Sequence, residues 1–221
     1  MKIRIASLTI LCLALAAIPA MAQQNWDYDN GPINGTTDAW TINFGYIVSD
    51  NFLANGSTVD SFSFGAWEFP GDTMTTVDWS VTTQENGGIV KGSGTASGAN
   101  LTDKFLSTNQ YGYNVDLITV TGLDVAITNG PTYWLNLQNA VVPSGDPVYW
   151  DENSGKGCTG IGLGIGCPSS ASESSVGTIP SEAFTINPGE GTSGSTPEPS
   201  SIMLFGSGIL GLAGVLRRKL F

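Results

Sequence analysis

Trp40-Thr41-Ile42-Asn43-Phe44-Gly45-Tyr46-Ile47-Val48-Ser49 is the stretch that decides the fold class. Large apolar side chains occupy every even position, and all the odd ones except Ile47 are small or polar. That period of two fits a half-buried strand and not the 3.6-residue period of a helix. Phe62, Phe64 and Ala66 repeat the pattern, as do Val77, Trp79 and Val81, then Val115, Leu117 and Thr119, then Tyr133, Leu135 and Leu137. Val148 to Trp150 and Phe184 to Ile186 are shorter candidates. Between them stand Asn34-Gly35, Asn55-Gly56, Gly71-Asp72, Gly87-Gly88, Asn129-Gly130 and Gly145-Asp146, pairs that favour tight turns. No amphipathic helix pattern appears. The expectation for residues 25–188 is an all-β, antiparallel β-sandwich of jelly-roll-like wiring, with an up-and-down barrel as the competing closure.

Both flanks read differently from this body. Lys2 and Arg4 precede an apolar run from Ile5 to Ile18, broken only by Ser7 and Thr9, and Ala20-Met21-Ala22 follows Pro19. This is the three-part form of a secretory signal peptide over residues 1–22, leaving Gln23 as the first mature residue. At the other end, residues 189–196 (Gly-Glu-Gly-Thr-Ser-Gly-Ser-Thr) have the composition of a flexible linker. Pro197-Glu198-Pro199 comes next, then an apolar run from Ile202 to Leu216, then Arg217-Arg218-Lys219. The run predicts a single, short transmembrane helix of about 22 Å against a hydrocarbon core of about 30 Å. Its basic end should stay cytoplasmic, with the body of the chain outside.

The ordered trio of Pro197-Glu198-Pro199, glycine-bearing apolar helix and basic cluster, residues 197–221, resembles the PEP-CTERM sorting signal of Gram-negative bacteria. The resemblance implies an exosortase-type processing enzyme as partner and cleavage near the Pro-Glu-Pro site. It also implies an inner-membrane-anchored intermediate, then delivery to the cell surface or the extracellular matrix.

Charge narrows the function of the body. Within residues 23–196 the only basic residues of the 8 are Lys91, Lys104 and Lys156, whereas of 19 acidic residues only Glu198 lies outside that range. So acidic a domain is not a nucleic-acid binder, because that affinity rests on Lys and Arg neutralising phosphates. Cys12 leaves with the signal peptide, and the remaining pair, Cys158 and Cys167, predicts a disulfide in an exported protein.

There is no histidine, which removes Ser-His-Asp and Cys-His triads and the commonest zinc ligand. A pair of carboxylates remains as a hydrolytic possibility, from Glu68, Glu85, Asp151 and Glu152. The expectation is nevertheless a non-catalytic structural or adhesive protein linked to exopolysaccharide, with no cofactor beyond a structural Ca²⁺. A lectin-like module is the alternative. If Tyr133, Leu135 and Leu137 enter the core, then Trp134, Asn136 and Gln138 share the opposite face, an aromatic plate beside two amides suited to a sugar. Asp27 and Asp29, in Asp27-Tyr28-Asp29-Asn30-Gly31, are the oxygen donors suggested for calcium.

Overall fold

A computed structural model of the chain describes residues 28–154 and 169–187. The chain divides into two compact units, Met1–Pro188 and Gly189–Phe221, and all described residues belong to the first. They form β1 (Tyr28–Asp29), β2 (Ala39–Thr41), β3 (Ile47–Leu53), β4 (Thr58–Glu68), β5 (Thr76–Gln84), β6 (Gly87–Ser97) and β7 (Leu101–Thr108). These are followed by β8 (Asn114–Ala126), β9 (Thr132–Val141), β10 (Tyr149–Asp151), β11 (Ala171–Glu173), β12 (Gly177–Ile179) and β13 (Phe184–Asn187). The expected signal peptide, the expected disulfide pair Cys158 and Cys167, Asp27 and the C-terminal segment, including Pro197, Glu198, Pro199, Arg217, Arg218 and Lys219, lie outside the described residues. No helix among the described residues is long and apolar enough to cross a membrane.

Two antiparallel sheets carry the fold. In the first, the long strand β4 pairs along one edge with β8, which pairs in turn with β7; its other edge is shared by β13 and β10, which lead to β1 and β2. The second runs β12-β11-β3-β9-β5-β6. The chain changes sheet at most connections, a wiring shared with jelly rolls; β5–β6 and β7–β8 are hairpins within one sheet.

One apolar core fills the space between the sheets. Phe62, Phe64, Ile118, Trp150 and Phe184 come from the first sheet; Val48, Phe52, Val81, Leu135 and Leu137 come from the second. Trp150 meets Phe64 and Phe184 edge-on, at ring separations of 5.9 and 5.6 Å. Each such buried side chain stabilises the fold by about 1.5–3 kcal/mol relative to exposure. The expected inward face Tyr133-Leu135-Leu137 is buried on β9, a central strand flanked by β3 and β5.

Two details of the strand pattern differ from expectation. Residues 40–49 are not one strand. Tyr46 N donates to Asn43 O (3.1 Å) to close a turn, with Phe44 at φ 55° and Gly45 at φ 89°, so that β2 and β3 lie in different sheets. Phe44 is therefore 64% exposed. The alternation continues through a turn because Asn43 is held from outside the run: its amide donates to Asp146 O at 3.0 Å. On β8 the parity is inverted. Ile118 and Val120 enter the core, Leu117 and Thr119 stay partly exposed, and Asp116 is carried inward with the apolar pair.

Candidate functional site

On β4 the parity that sends Phe62, Phe64 and Ala66 inward places Trp67 on the outer face of the first sheet. In register beside it are Tyr149 on β10 and Val115 on β8. Just beyond the β7 end, Asn109 folds the hairpin loop: its Oδ1 accepts from the N–H groups of Tyr111 and Tyr113, both at 3.0 Å. This turn chemistry, favoured by Asn, presents two tyrosines on the same side as Trp67. Tyr111 and Tyr113 stack at shallow angles on Trp67, with centroids 5.6 and 5.9 Å away. Tyr113 is held edge-on by Phe69 (4.9 Å) and Tyr149 (5.6 Å).

The result is an open groove of about 360 Å³ lined by Trp67, Tyr111, Tyr113, Tyr149, Asp38 and Ala39. Asp38 and Tyr111 are exposed at its rim, whereas Trp67 is a buried floor. Burial, with the hydrogen bond and charge of Tyr113, pushes the Tyr149 phenol up to about 12, so it remains a neutral donor at any physiological pH.

The floor is fixed from below. Trp67 Nε1 donates to Asp151 Oδ1 (2.8 Å), and Asp151 Oδ2 accepts from the backbone N–H groups of Asn34 (3.0 Å) and Gly35 (3.2 Å). Burial raises the Asp151 carboxyl, and these three donors oppose the rise. Gly35 sits at φ +63°, and a Cβ there would meet Val115 Cγ2 at 2.3 Å, so only glycine lets this segment close against the sheet.

The carbohydrate face expected on β9 is arranged otherwise. Trp134 and Gln138 are half-buried on the outer face of the second sheet, but Asn136 between them is only 4% exposed. Its Nδ2 donates to Thr82 Oγ1 (2.9 Å), and its Oδ1 accepts from Ser49 Oγ and from Asn86 N (3.2 Å). Asn136 thus rivets β9 to β3, β5 and the β5–β6 turn, and its amide is already satisfied.

The four candidate carboxylates go to different duties. Glu85 is exposed in the β5–β6 turn, and Asp151 holds the groove floor. Glu152 makes an isolated bridge with Glu182; burial raises its carboxyl, with Asp38 adding to the effect. Glu68 points to the inner side of β4, away from the groove, where it joins Asp103 and Asp116. Asp29 accepts from Gly31 N at 3.0 Å, an ordinary local turn contact.

Sequence reasoning left Trp67 without a face and did not single out Tyr111, Tyr113 or Tyr149. The available signals were the Phe62-Phe64-Ala66 parity, which fixes Trp67 as outward, and the Asn109-Gln110-Tyr111-Gly112-Tyr113 turn.

Residues 195–219 match the PEP-CTERM protein-sorting motif. The match is confined to the C-terminal segment that holds the Pro-Glu-Pro, apolar and basic stretches, and a motif of this kind implies an exported protein processed by an exosortase. No curated protein matches the chain.

Proposed function

We propose that the β-sandwich is a non-catalytic carbohydrate-binding domain that holds exopolysaccharide at the cell surface or in the extracellular matrix, with the aromatic groove as its ligand face. The observation that carries this reading is the convergence of Trp67, Tyr111, Tyr113 and Tyr149 in one open groove with the Asp38 carboxylate at its rim. A pyranose needs a flat apolar surface for its C–H face and fixed polar groups for its hydroxyls. Tyr111, Tyr113 and Tyr149 supply rings and phenols, and Asp38 supplies an acceptor. An open groove suits a polymer, which must enter and leave along its length, better than a closed pocket.

The chemistry of the groove supports the non-catalytic reading: among the described residues its lining holds no histidine or cysteine, and one carboxylate, Asp38, where a glycosidase uses two. In this reading the C-terminal apolar run, residues 202–216, anchors the chain in the inner membrane until the exosortase-type enzyme acts near Pro197-Glu198-Pro199, and the sandwich is then released to the matrix.

The test is affinity electrophoresis and a glycan array with the full-length chain in detergent. Tyr111→Ala and Tyr149→Ala should each weaken polysaccharide retention about five- to thirtyfold, since removing a stacking ring costs roughly 1–2 kcal/mol. Trp134→Ala should leave it unchanged. Retention that survives both tyrosine substitutions, or that is lost only with Trp134, overturns the groove as the ligand face.

A further inference from the structure

We propose that Glu68, Asp103 and Asp116 form a calcium site between the sheets, on the opposite side of β4 from the aromatic groove. The three carboxylates come from neighbouring strands β4, β7 and β8, and each offers an oxygen within 4.8 Å of the others. Register brings them together: Asp116 lies opposite Ala66, two residues before Glu68, and Phe105 lies opposite Asp116, two residues after Asp103. All three therefore share the inward face at one end of the sandwich.

The cluster alone would not make a site. What points to a ligand is that Glu68 is fully buried and, among the described residues, no N–H or hydroxyl group donates to either of its carboxylate oxygens, the side chain it meets being another acid, Asp103; Asp116 Oδ2 is buried and unpartnered as well. A buried carboxylate without a donor is costly, and two side by side are more so. What acts on the Glu68 carboxyl is burial, then the charges of Asp103, Asp116 and Asp72, then a hydrogen bond with the Asp103 carboxyl. Either a proton shared between Glu68 and Asp103 or a bound cation must balance the group.

The donor set selects the ion. All-oxygen, all-carboxylate ligation with no histidine or thiolate suits a hard cation. Three carboxylates, some bidentate, together with waters reaching in past the half-buried Asp103, meet the six to eight oxygens and loose geometry that Ca²⁺ accepts and Mg²⁺ does not. One Asp103 oxygen is already taken, since Oδ2 accepts from Met74 N at 2.7 Å, leaving Oδ1 free. That bond ties the β4–β5 connection to the site, so a bound ion would hold three strands and a loop together.

The experiment is a calcium titration of the full-length chain in detergent, stripped with chelator, at pH 7.5. It is read by calorimetry, by melting temperature and by terbium luminescence sensitised by nearby tryptophan. The expected result is one Ca²⁺ per chain with a Kd below about 1 mM. At a hundredfold excess over Kd, the melting temperature should rise by roughly 5 °C or more. Mg²⁺ at the same concentration should give less than half that shift. Glu68→Gln and Asp116→Asn should each abolish the calcium shift while melting, in chelator, no lower than the parent chain. Asp103→Asn, at the half-buried edge, should weaken binding at least tenfold and serves if the buried variants do not fold. A folded parent chain with no response to Ca²⁺ or Tb³⁺ overturns the site, as does a response unchanged in the variants. Proton sharing would give that first result.

Discussion

Asp50 and Glu68 are equally buried, yet they are treated in opposite ways. Asp50, on β3, accepts from Glu182 N (2.6 Å), from Ser181 Oγ and Asn30 Nδ2 (3.2 Å each), and from Ser169 Oγ. Its donors come from segments far apart in the chain, so one carboxylate binds the N-terminal edge to the C-terminal strands. Glu68, on β4, has no donor, and its nearest polar neighbours are two more acids. Glu182 stands between the two cases: its carboxyl has no donor either, and burial, then the charges of Asp50 and Glu152, drive it toward the protonated form. A donor-rich buried acid is a structural tie, whereas Glu68 and Asp116 hold buried oxygens with no N–H or hydroxyl donor among the described residues, the need that the proposed cation would meet.

The largest effect that would break this contrast is at Asp50. Asp50→Ala strands several buried donors at once and should cost about 3–4 kcal/mol in denaturant unfolding. A cost under about 1 kcal/mol would mean the network is not a tie.

The pH dependence comes next. Burial, opposed by the hydroxyl of Ser169 and the N–H of Glu182, puts the Asp50 carboxyl at about 7 against 3.8 in the unfolded chain. Between those values the folded chain keeps a proton that the unfolded chain has released, so stability falls as pH rises through that window and levels off above 7. Glu182 acts in the same direction, and the Tyr28 phenol, raised by burial and by Asp50, stays neutral throughout. Glu173 runs the other way. Burial would raise it, but Ser175, Ser174 and the N–H of Val176 hold its carboxyl below the usual range, so its contribution is lost as pH falls below about 4.5. In chelator, the melting temperature should peak between about pH 4 and 4.5 and be lower by roughly 5 °C or more at pH 8. A flat profile would show that Asp50 ionises freely.

Asp151→Asn sharpens the comparison from the middle. Asp151 has three donors rather than Asp50's wider set, and the substitution turns an amide toward some of them, so a loss of about 2 kcal/mol is expected from thermal or denaturant unfolding. The smallest effect belongs to Glu68→Gln: in chelator its stability should stay within about 0.5 kcal/mol of the parent or rise, because a buried acid is removed and the new amide can itself donate to Asp103. A loss of 2 kcal/mol there would reveal an unseen donor and erase the contrast.

Much of the fold was legible because its central strands face the core on one side only. Tyr133-Leu135-Leu137 gave the right face since β9 is flanked on both edges and its parity cannot slip without exposing the whole set. The run at 40–49 misled because the apolar pattern passes through a turn whose anchor, the carbonyl of Asp146, is a hundred residues away. On β8 the choice between two nearly equal apolar faces was settled by Ile118 and Val120, and that choice brought Asp116 inward. The acid site left one readable trace: Glu68 continues the inward parity of Phe62, Phe64 and Ala66. The groove left less, since Trp67, Tyr111, Tyr113 and Tyr149 meet only once β4, β10 and the β7–β8 loop are set side by side.

The pairing of β1 with β13 carries a consequence for export. Tyr28 lies opposite Ile186 and Asp29 opposite Thr185, so the first strand of the domain finds its partner only in the last. Asn30, next to β1, likewise waits for Ser181 and the carbonyl of Glu182. A chain threaded across a membrane from its N-terminus must keep that first strand unpaired until almost the entire domain has emerged. Closure of that edge thus waits for residues 184–187, and a chain truncated before them lacks its latch.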